Sequence, residues 1–332
     1  MAAVTGAMAE VTISGQFDLS VNATTTTDSS GDKTTLNSVG SNQYGQSQIT
    51  FGVSEDLGDG NTAYGNLVFI PSPASNGTSL NQDTGSGLGI KGAFGNIFMG
   101  NVYSQVWTVY AAADASGFGA TSTAGSVWAN TNGVGAKSQS VVYTLPSMVQ
   151  GLDITVEQNY AGSSAGTGDA TGLGVSYTSG AFYAKYAASK LKTSSGTTSF
   201  FTYDGAGTAS TSTTYDGSEA TYQAAALTYD LGAAKLFLGA ETMSMNDSGN
   251  SAESKNTYGI TVPFGAITLG WGHSSAVFTD SDSDQTTISG DKLFAKYTLS
   301  KRTVAYITTG KSSTSGASGA LTNTSIGLFH SF

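Results

Sequence analysis

Cysteine is absent from the 332-residue sequence. That excludes disulfides, thiolate metal centres and cysteine nucleophiles. Histidine occurs only at His273 and His330, too few for a zinc site built wholly from protein ligands. Charged residues make up 11% of the chain, where soluble globular proteins carry about 25%. Lys plus Arg number 13 against 23 Asp plus Glu, a net charge of −10, and Arg302 is the one arginine. Phosphate backbones need a basic patch, so nucleic acid is excluded as a partner. Proline is equally scarce, 4 residues beside 44 glycines, which rules out collagen and proline-rich linkers. Disorder does not fit a chain that is 39% hydrophobic and 10% aromatic. There is no run of about 18 or more apolar residues for a membrane helix. Membrane strands, which need about 9–11 alternating residues each, stay open.

What the sequence does have is a period of two. Val11, Ile13, Phe17, Leu19 and Val21 share one face with Gly15, against Thr12, Ser14, Gln16, Asp18, Ser20 and Asn22. Ile49, Phe51 and Val53 repeat the pattern, as do Leu152, Ile154 and Val156, then Leu236 and Leu238, Ile267, Leu269 and Trp271, Leu293 and Tyr297, and finally Ile326, Leu328 and Phe332. Side chains that alternate between two faces belong to strands.

The connections between these segments alternate in length. Short turns fall at Leu57–Gly60, Phe94–Asn96, Ser179–Gly180, Leu231–Ala233, Phe264–Gly265 and Ser300–Arg302, with Pro146–Gly151 slightly longer. Between them lie Ser/Thr/Gly/Asp-rich stretches at 24–44, 71–84, 105–136, 163–169, 190–218, 245–253, 276–288 and 312–320. The pattern predicts an all-β fold of sixteen antiparallel strands, seven short turns and eight long loops. A soluble sandwich has no reason to keep every long loop at one end. An outer-membrane barrel does, with short periplasmic turns and long extracellular loops, and an even strand number closes the sheet. Low charge fits, since half of each strand faces hydrocarbon.

At this point particular motifs resemble those of a known family. Ser54-Glu55-Asp56-Leu57-Gly58 is similar to a turn of the Gram-negative general diffusion porins of the beta-proteobacterial type. Val11–Asp18, Phe94–Gly100, Val141–Pro146, Tyr229–Gly232 with Ala234–Phe237, Val262–Gly265 and Leu299–Thr303 resemble successive strand ends and turns of that family. Ile326–Phe332 resembles its last strand, whose terminal Phe, here Phe332, serves as an assembly signal. The resemblance implies a trimeric sixteen-stranded transmembrane barrel with a water-filled pore for passive diffusion of ions and small hydrophilic solutes. It implies outer-membrane lipid and lipopolysaccharide as surroundings, insertion by the barrel assembly machinery, and no cofactor. It also implies a long third loop folded inward as a constriction. By position that loop is 105–136, which contains Trp107, Tyr110, Phe118 and Trp128 and a single charge, Asp114. A solute-specific channel is the alternative within transport; a barrel enzyme or surface-interaction barrel is the alternative outside it.

The departures from the family concern charge. Gln48 stands where the resemblance leads one to expect Arg, Gly52 where another basic residue is common, and Gly100-Asn101-Val102 where Gly-Arg-Gln is usual. Strand parity turns Gln16, Asp18, Gln48, Asp153, Glu157, Lys235, Glu241, Lys292 and Lys296 inward. The expected pore and constriction residues are Asp18, Gln48, Asn101, Asp114, Asp153, Glu157, Lys292 and Lys296. Charged rings set the sign of the permeant ion, so this set predicts a weak preference for cations.

Other motifs carry less. Ala7-Met8-Ala9 has the small-x-small form of a signal-peptidase site, so residues 1–9 read as the remnant of an export signal and 10–332 as one barrel domain. Asp280, Asp282 and Asp284 alternate as calcium-loop ligands do, but Gln285 replaces the glycine such a loop needs, so a solvated acidic loop is the simpler reading. Gly85-Ser86-Gly87-Leu88-Gly89 precedes a strand, which argues against a phosphate loop. His273 beside Ser274 and Ser275 is the one candidate catalytic dyad. His330 falls on the apolar face of the last strand, as an interfacial residue would.

Overall fold

The computed structural model describes residues 9–28, 30–71, 74, 81–82, 85–117, 138–160, 169–192, 196–200, 211–215, 219–246, 252–279, 285–315 and 320–332. They form a closed antiparallel barrel of sixteen strands. Glu10–Thr27 is the first strand and Ala320–Ser331 the last, and they pair from Gln16↔Ser331 to Thr27↔Ala320. Closure leaves no edge whose N–H and C=O groups hydrocarbon would have to satisfy. Two wall positions are each occupied by two pieces of strand. Lys33–Ser41 and Gln48–Gly58 both pair with the first strand, and Asn81–Gln82 and Ser86–Gly92 both pair with Asn61–Ile70. The short turns cluster at the end where Glu10 and Phe332 lie, as the alternating spacing predicts.

Burial inverts the rule for soluble proteins. Val11, Ile13, Leu19 and Val21 are exposed, whereas Asp18, Ser20 and Asn22 on the opposite face are buried. The apolar half of each alternation forms the outside, and the polar half lines the lumen. Gly15 interrupts the apolar face for a reason of space. A Cβ there would lie 2.6 Å from Phe332 Cζ and 2.6 Å from the Gln48 carbonyl oxygen. The Phe332 ring fills the gap, 5.6 Å from the Phe17 ring, while its backbone exchanges N–H···O bonds with Gly15 at 2.9 and 3.1 Å.

Three segments depart from the sequence expectation. The stretch 24–44 is mostly strand: the first strand continues to Thr27 and Lys33–Ser41 returns along it. The β-branched threonines 24–27 and 34–35 favour extended backbone, which outweighs their polarity. The Asp28 carboxylate closes the turn by accepting the Ser30 and Asp32 N–H groups at 2.9 Å. Within 190–218, Gly196–Phe200 and Thr211–Tyr215 form a separate hairpin. Finally, Gln105–Ala113 is an α-helix in an otherwise β chain.

Candidate functional site

That helix lies inside the barrel. Val106, Val109, Tyr110 and Ala113 recur at helical spacing and are buried. Val106, Val109 and Ala113 pack on Ala187, Leu191, Ala220, Tyr222, Ala224, Ala226, Met243 and Met245 of the inner wall. Each buried valine contributes about 1.5–3 kcal/mol to holding the helix there. Half of these wall residues are alanine, which lets the helix approach the sheet. Ser104 caps the N-terminus, its Oγ accepting the Trp107 N–H at 3.2 Å. Both oxygens of Glu157 accept the Gln105 N–H at 3.1 Å, where a carboxylate also meets the positive end of the helix dipole. Glu157 and Gln105 occupy room left by glycine: a Cβ on Gly172 or Gly174 would lie 2.4 Å from Glu157 Oε1 or Gln105 Oε1. The set of free lumen charges expected from strand parity thus loses one member, because Glu157 anchors the helix.

A second segment, 42–47, also turns inward. It separates the two pieces of the second wall strand and is tied down by Asp18, which is fully buried. Asp18 Oδ2 accepts the N–H groups of Tyr44 at 2.6 Å and Gly45 at 2.9 Å, and Oδ1 accepts the Tyr306 hydroxyl. Ser47 Oγ accepts the Asp18 N–H at 3.0 Å. Asp18 therefore lines no open water; it is a structural acceptor beneath Tyr44. The Tyr44 ring lies 4.3 Å from Lys296 Nζ, which also stands 4.7 Å from the Phe294 ring centroid.

The two segments converge. A Cβ on Gly117, just beyond the helix, would be 3.7 Å from both Lys296 Nζ and the Tyr44 carbonyl oxygen. Asp114 Oδ1 accepts the Ser116 N–H and hydroxyl at 2.8 Å each, and the Asp114 carboxylate acts electrostatically on Lys292 and Lys296. Asp18, Asp114, Lys292 and Lys296 are thereby brought to one side of the lumen, and Lys292 is buried.

Elsewhere on the inner face, Lys255 Nζ sits 3.0 Å from Glu241 Oε1 and 2.8 Å from Glu253 Oε2, with no more than 2% of any of the three side chains exposed. Asp153, exposed on the lumen side, shares a cross-strand row with Ser176 and Lys185. Gln48 pairs with Gln16 on the inward face. Asn101 does not join them. It pairs with Gln139 in the alternation of Ile97 and exposed Met99, the outward set, so register removes it from the pore lining. The helix was detectable in sequence from Ser104 followed by 106, 109, 110 and 113. Tyr44, Ser47, Tyr306 and Glu253 carried no comparable local signal.

The weaker motifs resolve as follows. Ser274 faces inward, donating to Thr257 Oγ1 at 2.7 Å, whereas His273 Nδ1 meets Asp291 Oδ1 at 2.9 Å on the outer face. Ser275 donates to Asn256 Oδ1 at 3.1 Å, so no His–Ser dyad forms. Asp280, Asp282 and Asp284, Phe118, Trp128 and residues 1–8 lie outside the described residues.

Comparison with known proteins agrees with this architecture. No curated protein sequence matches the chain. The anion-selective porin from Comamonas acidovorans is similar in structure at a TM-score of 0.78 and 19% identity, over 98% of this chain and 100% of that one. The trimer form of OmpT, an outer membrane protein of Vibrio cholerae, is similar at a TM-score of 0.73 and 15% identity, over 98% and 99%. Salmonella typhi OmpF in complex with daunomycin is similar at 0.64 and 15%, over 97% of each chain. Identities this low carry the fold alone, but the sequence profile of Gram-negative porins matches residues 1–317. The chain belongs to the Gram-negative porin family, and its sixteen-stranded barrel is an outer-membrane channel.

Proposed function

We propose that this channel passes ions and small hydrophilic solutes by passive diffusion, with a weak preference for cations, and that 105–136 forms its constriction. The observation that carries the reading is the helix Gln105–Ala113 laid against one inner wall of a closed barrel, which narrows the lumen. The charges near it support weak selectivity. Asp18, Asp114, Asp153, Glu157, Glu241 and Glu253 face Lys185, Lys255, Lys292 and Lys296, a small surplus of acid, and most members are already paired. Gln16 and Gln48 add amides where a basic wall would favour anions. The anion selectivity printed for the Comamonas porin belongs to that protein, whose identity with this chain is too low to transfer a charge pattern.

The trimeric form of OmpT supports a homotrimer here. The seating of Phe332 on Gly15 and Phe17 supports its role as an assembly signal for the barrel assembly machinery, in a membrane of lipid and lipopolysaccharide. Reversal potentials across planar bilayers in a KCl gradient test the channel and its sign together. A small cation-directed potential is expected; clear anion selectivity, or no conductance, would overturn the reading. Gel mobility with and without heating tests the oligomer.

A further inference from the structure

Away from the helix, three neighbouring strands carry an aromatic floor. Tyr64, Gly89 and Phe98 are successive partners in one row across Asn61–Ile70, Ser86–Gly92 and Gly95–Val102. Their parity is opposite to that of exposed Leu67, Leu88 and Met99, so they face the lumen. A Cβ on Gly89 would lie 2.7 Å from Tyr64 Cζ, and one on Gly87 would lie 2.7 Å from Phe98 Cζ. Both rings therefore lie down on the middle strand, in space that only glycine leaves. Their centroids are 5.7 Å apart with 24° between the planes, and both residues are half-buried, so the surface not covered by the wall is turned to the lumen.

The edge of this floor presents hydrogen-bond donors. Lys91, exposed on the inward face, holds its Nζ 5.5 Å from the Tyr64 centroid. Asn96 lies opposite Lys91 in the next strand, and its Oδ1 accepts the Tyr64 hydroxyl at 2.7 Å. That bond engages the amide oxygen and leaves the NH2 group as the donor end. The nearest acid in the same row is Asp56, two strand spacings or about 10 Å from Lys91. Its Oδ1 already accepts the Gly58 N–H at 2.9 Å.

A flat apolar surface edged by donors fits a planar ring bearing a group that only accepts. We infer that this floor is a binding station for small aromatic carboxylates, the ring resting on Tyr64 and Phe98 and the carboxylate meeting Lys91 and the Asn96 amide. The inference rests on the channel reading above and narrows it by naming a solute class. A sugar fits less well, because its hydroxyls bring as many donors as acceptors to an edge dominated by donors. The small acid surplus near the helix does not bar a monovalent anion from a pore of weak selectivity.

Single-channel recording in KCl, with benzoate, cyclohexanecarboxylate and glucose added in turn, tests the site. Benzoate should interrupt the current in a concentration-dependent way, cyclohexanecarboxylate more weakly for want of a flat face, and glucose least. Tyr64→Leu with Phe98→Leu should raise the half-blocking benzoate concentration roughly two- to tenfold. Lys91→Gln should raise it roughly two- to fivefold, and its exposed position keeps this variant free of packing effects. The conductance of each variant in KCl alone reports whether the pore has formed. Block by glucose equal to that by benzoate, or benzoate block unchanged in both variants, would overturn the proposal. A wild-type protein that conducts nothing in KCl would defeat the channel reading first and this one with it.

Discussion

The two segments that fold into the barrel are held by different physics. The helix Gln105–Ala113 is held by area: Val106, Val109 and Ala113 bury themselves on an alanine-rich wall, and Glu157 only trims its N-terminus. The segment 42–47 rests one ring, Tyr44, on Tyr306 and Phe329; its backbone is gathered by one carboxylate, Asp18, which accepts two of its N–H groups and the Tyr306 hydroxyl. Burial is spread over many atoms and tolerates small changes, whereas a single buried acceptor concentrates the same task in one side chain. The helix should therefore yield to a gross insult and the insertion to a minimal one.

Substitutions at five positions sharpen that contrast. Val109→Asp puts a carboxylate into the apolar seat, at a cost of about 4 kcal/mol or more. The segment should leave the wall, and single-channel conductance should rise while the barrel still resists detergent unheated. Asp18→Ala strips the acceptor from three donors at once, a loss on the order of 3 kcal/mol. It should lower the temperature at which gel mobility changes, with Asp18→Asn showing a smaller drop because one acceptor oxygen remains. An insertion that stayed ordered in Asp18→Ala, judged by protease resistance at 42–47, would mean that Asp18 is not its anchor. Glu157→Gln removes the charge at the helix N-terminus and should cost about 1 kcal/mol, visible as more frequent conductance fluctuation without a new mean level. The smallest effect is electrostatic. Gln48→Arg should move the reversal potential toward anions, while Asn101→Arg, on the outward alternation, should leave it nearly unchanged; equal shifts from both would refute the register argument for Asn101.

The same contrast explains what was legible in the sequence. Alternation is a local property, so Val11 to Val21 and Ile326 to Phe332 disclosed strands, faces and barrel closure without any knowledge of partners. The helix was written just as locally, in Ser104 and the spacing of 106, 109, 110 and 113, but a long loop flanked by strands discouraged reading it. The alternation puts Asp18 on the correct face but does not disclose that it is a buried acceptor. Parity tells which way a side chain points, and nothing in parity tells that Tyr44, 26 residues away, will lie over it. Asn101 failed for a different reason. The resemblance assigned it to the wall by motif, and its partner Gln139, across a long connection, decides the face. The stretch 24–44 shows polarity being mistaken for irregularity, when rows of threonine are also good strand formers.

The buried set of Lys255, Glu241 and Glu253 has a consequence for the electrolyte itself. Mobile ions screen charges they can surround, over roughly 10 Å at 0.1 M and roughly 3 Å at 1 M. Asp153 stands in lumen water and fades from view as salt is added. The ion-paired triad, with no more than 2% of any side chain exposed, is out of reach of counter-ions, and its field persists. Selectivity measured in dilute salt therefore reports the whole wall, and what survives in concentrated salt reports mainly the part of the wall that ions never touch.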